Sequence, residues 1–89
     1  EFLDEVKEKG SYFADKIKEI QGVSSVKNMG LMIGIELEAD NAKEIAKKCV
    51  SNGLFIITAK NLLRMLPPLV ITKDEMDKAV EILKNSILN

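Results

Sequence analysis

The sequence contains no histidine, no tryptophan and only one cysteine among its 89 residues. A single cysteine cannot form an internal disulfide, and without histidine a metal site is not expected. Nucleophilic catalysis usually needs serine, cysteine or threonine beside a histidine-type base, so that class of chemistry is disfavoured as well. Cys49 lies on the apolar side of a predicted helix, where a free thiol is typically inert and buried. These absences favour a protein of a reducing compartment, which we expect to be the cytoplasm.

Strong net charge and long apolar runs are also missing. The formal net charge of −1 gives no reason to expect nucleic acid or an anionic membrane as a partner. No apolar run approaches the roughly 20 residues that span a bilayer. The 46% hydrophobic and 30% charged fractions are those of a folded globular segment. The chain starts at Glu1 and enters a helical pattern at once, which indicates a piece of a longer protein.

Three segments show the periodicity of helices with one apolar side. The first covers residues 2–20, and the other two follow Asn41 and Thr72. Asn41 with Glu44, and Thr72 with Glu75, have the spacing of capping boxes, in which two side chains satisfy free backbone N–H groups reciprocally. Each pair therefore predicts where a helix begins.

The strands are predicted from alternation and from β-branched or aromatic content. Four segments qualify: 26–29, 31–37, 54–59 and 62–66. Pro67 and Pro68 cannot donate ladder hydrogen bonds, so they end the last strand. Helices interleaved with hairpin-joined strands predict an α+β fold: a small antiparallel or mixed sheet of about four strands, covered on one face by three helices.

Two glycines occupy positions where a side chain would be expected. Gly10 lies in the apolar stripe of the first helix, which indicates either close packing or a weak point. Gly34 lies on the uncovered side of its strand with Met32 and Glu36, which suggests that another backbone or a ligand approaches there. Glu36 and Glu38 share that side; a solvated pair is favoured over an acid and base, because nothing nearby in sequence would raise one pKa. We assign no catalytic residue.

Arg64 stands alone in the apolar run "NLLRMLPPLVIT", residues 61–72. One interpretation is a strand arginine whose stem packs on apolar neighbours while its head reaches water. The other is a guanidinium held to bind an anion, supported by the two prolines and kept dry by Leu62, Leu63, Met65 and Leu66. Spacing alone does not choose between them.

The pair of motifs "GLMIGIEL" (30–37) and "NLLRMLPPLVIT" (61–72) resembles the C-terminal small domain of class III, fold-type I, pyridoxal-phosphate aminotransferases, acetylornithine and ornithine aminotransferases in particular. The resemblance covers residues 1–89 as one domain. It implies amino transfer between N-acetylornithine and 2-oxoglutarate in arginine biosynthesis, with Arg64 binding the substrate α-carboxylate. It further implies pyridoxal 5′-phosphate as cofactor, a large cofactor-binding domain in the same polypeptide, a homodimer, and amino-acid and 2-oxo-acid substrates.

Two features limit what the resemblance assigns to this chain. No lysine here lies in a motif matching the family's Schiff-base lysine, so we assign no cofactor-binding residue and expect the isolated segment to be inactive. The family usually has an Arg-Gly-x-Gly turn before the first motif, where this chain has Lys27, Asn28, Met29 and Gly30. The residues themselves leave two alternatives: a stand-alone module that binds a small carboxylate or amino acid, and a protein-interaction domain.

Overall fold

The computed structural model describes residues 2–88, and side chains from residue 4 onward. The predicted order of elements is confirmed. The elements are α1 (Phe2–Lys18), β1 (Val23–Met29), β2 (Met32–Leu37), α2 (Ala42–Ser51), β3 (Ile57–Ala59), β4 (Leu62–Met65) and α3 (Lys73–Leu88). Phe2 is predicted on the apolar side of the first helix, and its side chain lies outside the described part.

All strand pairs are antiparallel, in the order β1-β2-β4-β3. Tight turns join β1 to β2 and β3 to β4, as expected for antiparallel neighbours. Strands β2 and β4 are neighbours in the sheet but not in the chain, because α2 and β3 lie between them in sequence. That pairing brings the two halves of the sequence into one sheet.

The core lies between the sheet and the helices. Helices α1 and α2 contact the strands, and α3 packs against both helices. Alternate strand residues point into this layer, and the most deeply buried side chains are Phe13, Ile17, Ile33, Ile35, Ile45, Leu63, Leu83 and Cys49. Among residues 2–88, none of the helices has the length and hydrophobicity of a membrane-spanning segment. The opposite side of the sheet, which we call the open face, is not covered by any described part of the chain.

Gly10 is a close-packing position. A β-carbon there would lie 2.8 Å from the carbonyl carbon of Gly30 and 3.0 Å from Nδ2 of Asn28. Helix α1 therefore crosses directly over the β1–β2 turn, where Gly30 has a φ of 59°. Asn28 Nδ2 also donates a 3.3 Å hydrogen bond to the Gly30 carbonyl, so this turn is held from two sides.

The third predicted strand is shorter than the 54–59 segment proposed from composition. It begins at Ile57, because the chain leaving α2 first bonds to the end of that helix. The Leu54 N–H donates to the Cys49 carbonyl at 2.8 Å, which keeps this residue out of the sheet. The spacing of apolar residues after Asn41 predicts Val50 on the apolar side of α2, but its side chain is half exposed.

One predicted capping box is confirmed and the other is wrong. Thr72 Oγ1 accepts from the Glu75 N–H at 3.1 Å, and Glu75 Oε1 accepts from the Thr72 N–H at 2.9 Å. Asn41 makes no side-chain cap. Asn61 caps this end instead, since its Oδ1 accepts from the Ala42 N–H at 3.3 Å and its Nδ2 donates to the Ala39 carbonyl at 3.1 Å. The β3–β4 turn carries Asn61 to the start of α2.

Candidate functional site

Arg64 lies on β4 and its side chain is exposed on the open face. The register pairs Arg64 with Gly34 on β2 and with Ile57 on β3. On the other side of β2, Gly34 pairs with Lys27. Directly paired residues project from the same face of a sheet. Lys27, Gly34, Arg64 and Ile57 therefore form one row across all four strands, which we call the cation row.

The space above Gly34 is open among residues 2–88. A β-carbon added at Gly34 would meet only the Lys27 carbonyl oxygen, at an ordinary contact distance of 3.9 Å. The expected close approach of another backbone is therefore not found in the described part of the chain. The glycine leaves a gap in the middle of the cation row, with a cationic side chain on either side.

The apolar surroundings of Arg64 differ from the expected ones. Leu63 and Met65 are buried and project into the core, on the side of the sheet opposite Arg64. They cannot keep the guanidinium dry, because alternate residues of a strand point to opposite faces. On the open face, Ile57 and Met32 are each 50% exposed and Leu62 is 36% exposed. These three side chains supply the apolar surface next to the cation row.

The loop that follows Arg64 is tied to two helices. The Ile71 N–H donates to the Pro68 carbonyl at 3.0 Å, which closes a turn after the prolines. Lys9 on α1 donates from Nζ to the Leu69 carbonyl at 3.2 Å. The Thr72–Glu75 cap joins the end of the loop to α3. This external support for the end of β4 could not be read from the proline pair alone.

The side-chain hydrogen bonds found among residues 4–88 do not engage the Arg64 guanidinium. The open-face carboxylate nearest in register is Glu36, which pairs with Leu62 and with Ser25. Its Oε1 accepts a 3.1 Å hydrogen bond from Ser25 Oγ. The five donors of Arg64 are thus available for a planar anion such as a carboxylate.

The groups with shifted pKa values lie on the helical side of the fold. The hydrogen bond to Asp77 raises the pKa of Tyr12 to about 12. Burial raises the pKa of the Cys49 thiol. Hydrogen bonds from Thr72 lower the pKa of Glu75. None of these groups belongs to the cation row, whose exposed cationic side chains can bind an anion.

Every lysine of the chain is exposed or half-buried. Among residues 2–88 there is also no group of three or more histidine, cysteine, aspartate or glutamate side chains arranged to hold a metal ion.

The sequence that forms this fold matches the model of a known protein family. Residues 1–87 match the family model described as aminotransferase class-III. The chain belongs to this family.

The similar proteins are much longer than the chain. An acetylornithine aminotransferase of Aquifex aeolicus is 45% identical over 83 residues, which cover 92% of this chain and 22% of that protein. The structure of an ornithine aminotransferase from Plasmodium yoelii is 28% identical with a TM-score of 0.83, covering 98% of this chain and 25% of that one. A PLP-bound amine transaminase from an uncultivated Pseudomonas species is 20% identical, with a TM-score of 0.85 over 98% of this chain and 23% of its own, which is a likeness of fold. The chain thus spans about a fifth to a quarter of the length of these proteins.

Proposed function

We propose that this chain is the C-terminal small domain of a PLP-dependent aminotransferase that transfers an amino group between N-acetylornithine and 2-oxoglutarate in arginine biosynthesis. The 45% identity to an acetylornithine aminotransferase over 92% of the chain supports this substrate pair. The segment contributes substrate binding, while the cofactor and its lysine belong to the remainder of the polypeptide. The observation that carries the proposal is the exposed Arg64 guanidinium beside the gap at Gly34.

In this proposal Arg64 binds the substrate α-carboxylate. A guanidinium presents two parallel N–H donors that match a carboxylate, and such charge-assisted pairs are roughly twice as strong as neutral hydrogen bonds. The position on a central strand limits how far the group can move, because β4 is paired on both sides. Holding one end of the substrate in this way orients its reacting bond, and positioning can lower the barrier by several kcal/mol.

The proposed partner of the open face is the large domain of the same polypeptide. Met32, Ile57 and Leu62 surround the cation row and are substantially exposed. When another domain covers them, water is displaced from around Arg64 and its attraction for an anion becomes stronger. A homodimer and a cytoplasmic location complete the proposal.

The test is kinetic and uses the full-length enzyme. Arg64→Ala is expected to reduce kcat/KM at least a hundredfold for N-acetylornithine and for 2-oxoglutarate, consistent with loss of a charge-assisted pair plus misorientation. Arg64→Lys should be nearly as defective, because lysine keeps the charge but not the planar fork. Cofactor absorbance should be retained in both variants. Lys47→Ala, which removes an exposed cation from α2, is the matched control and should leave the kinetics unchanged.

Unchanged kinetics in Arg64→Ala would contradict the assigned role. Loss of cofactor absorbance together with activity would also contradict it, since Arg64 would then act through the cofactor site or through folding. Activity with amino donors and 2-oxo acids other than these two, but not with them, would reject the substrate assignment while leaving the arginine's role intact.

A further inference from the structure

A cavity on the helical side of the sheet has no part in the proposed function. It has a volume of about 380 Å³ and lies between α1, α3 and the loop that follows β4. Its apolar lining includes Phe13, Leu54, Met65, Pro67, Ile71 and Ala79, and we call it the α3 cavity. Four of these six side chains are buried, so the floor of the α3 cavity belongs to the hydrophobic core.

Two large apolar side chains line the α3 cavity from its exposed end. Phe55 is 78% exposed and Leu66 is 74% exposed. Single apolar residues at a surface are ordinary, whereas a concave surface that is mostly apolar is typical of small-molecule sites. The volume lies in the range of about 300–1,000 Å³ found for such sites, and it exceeds the cavity of about 150 Å³ that holds a benzene ring. The α3 cavity can therefore take an apolar side chain of the size of leucine or phenylalanine.

The charged groups that line the α3 cavity have opposite signs and belong to one helix. Glu75 and Lys78 are three positions apart on α3, so their side chains lie on the same side of the helix, with β-carbons about 5–6 Å apart. The Thr72 N–H holds Glu75 in place, donating to its Oε1 at 2.9 Å. The side-chain hydrogen bonds found among residues 4–88 do not engage Lys78. The rim thus presents a fixed carboxylate and an available ammonium group.

We propose that the α3 cavity binds a free apolar α-amino acid such as leucine or phenylalanine. The Lys78 ammonium donates to the α-carboxylate of the ligand, the α-ammonium donates to the Glu75 carboxylate, and the apolar side chain enters the cavity. Both charged groups of an α-amino acid are attached to the carbon that carries the side chain, which suits a rim with two opposite charges above an apolar floor.

The two charges at the rim also distinguish this ligand class from others with an apolar part. A fatty acid would pair with Lys78 but bring its own negative charge close to Glu75. An apolar amine would pair with Glu75 but be repelled by Lys78. Each of these ligands meets one like charge, and such a contact disfavours the wrong ligand. The inference does not rest on the proposed function, because Arg64 lies on the open face and does not line the α3 cavity.

The first experiment is isothermal titration of the full-length protein with leucine and its derivatives. Leucine and phenylalanine should bind saturably. N-acetylleucine lacks the ammonium group and leucinamide lacks the carboxylate. Each should bind about tenfold more weakly than leucine, the order expected for loss of a hydrogen bond between charged groups. Glycine should show no saturable binding, since it has no side chain to enter the cavity.

The second experiment repeats the titration with variants. Lys78→Gln should weaken leucine binding about tenfold and change leucinamide binding by less than about twofold, because leucinamide lacks the group that Lys78 contacts. Ala79→Leu should abolish binding by filling the floor of the cavity. Lys84→Gln is the matched control, since Lys84 is an exposed lysine of the same helix that does not line the cavity. Both Lys84→Gln and Arg64→Ala should bind leucine as the unmodified protein does.

Absence of saturable binding of leucine and phenylalanine below about 10 mM would overturn the inference. Equal losses of affinity for leucine and leucinamide in Lys78→Gln would do the same. Loss of leucine binding in Arg64→Ala would place the ligand on the open face and reject the α3 cavity. If Ala79→Leu does not fold, Lys78→Gln still decides, because the exposed Lys78 side chain can be replaced without disturbing the core. The proposed function is judged separately, from the kinetics of Arg64→Ala.

Discussion

Gly10→Ala should destabilise the fold, although alanine is the better helix former. Within α1 the substitution favours the helix by about 1 kcal/mol. Against this, the new β-carbon would overlap the Gly30 carbonyl oxygen, its nearest neighbour, and would lie 2.8 Å from the carbonyl carbon, whereas carbon atoms in contact prefer about 3.5–4.0 Å. The helix or the turn must therefore move by more than about 1 Å.

Moving the β1–β2 turn would cost free energy. The obstructing atoms are backbone, Gly30 has a φ of 59°, and Asn28 holds its carbonyl. Overpacking of a well-packed site typically costs about 1–3 kcal/mol, and a backbone obstacle belongs at the upper end of that range. After subtraction of the propensity gain, we expect a net loss of about 2 kcal/mol. For a chain of this size that corresponds to a fall in Tm of roughly 8–16 °C.

The measurement is urea unfolding of the 89-residue chain followed by far-ultraviolet circular dichroism. The midpoint should fall with the slope unchanged. Ser11→Ala is the matched control, because Ser11 is the exposed neighbour of Gly10 on the same helix. It should stabilise the chain by a few tenths of a kcal/mol through propensity alone. Equal or greater stability of Gly10→Ala would refute the inferred contact between α1 and the turn.

The remaining predictions concern the helix ends and the thiol. Thr72→Ala should cost about 1 kcal/mol in unfolding free energy through loss of the α3 cap. Hydrogen bonds from Thr72 lower the pKa of Glu75, so the stability that the ionised Glu75 contributes should be present above the ordinary glutamate pKa of 4.5 and be lost as the pH falls through the lowered value. Urea midpoints measured over a pH series check this, and their dependence on pH should be smaller in Glu75→Gln. Asn61→Ala should destabilise by about 1 kcal/mol, whereas Asn41→Ala should have little effect. Because burial raises the pKa of Cys49, a disulfide reagent at pH 8 should modify the native thiol far more slowly than the urea-unfolded one.

The sequence by itself determined the order of the elements and the face that each buries. The alternation of Ile33 and Ile35 and the Thr72–Glu75 spacing were sufficient, because these features depend on residues a few positions apart. The same local logic misassigned the cap of α2, since the group that performs it, Asn61, is 19 residues away from Ala42. Sequence proximity also predicts Leu63 and Met65 around Arg64, but residues next to each other in a strand face opposite sides of the sheet, so these two side chains lie in the core.

The arrangement of the candidate site depended on tertiary structure more than the order of the helices and strands did. Local reasoning singled out Arg64 and Gly34 separately, and Lys27 only as a departure from a family pattern. The pairing of β2 with β4 placed these three residues in one row. A register between strands that are not consecutive arises from how α2 and β3 pack between them, and no short pattern of residues encodes it. The sequence thus specified which side of each strand is polar, while the packing of the whole chain decided which polar groups face the same gap.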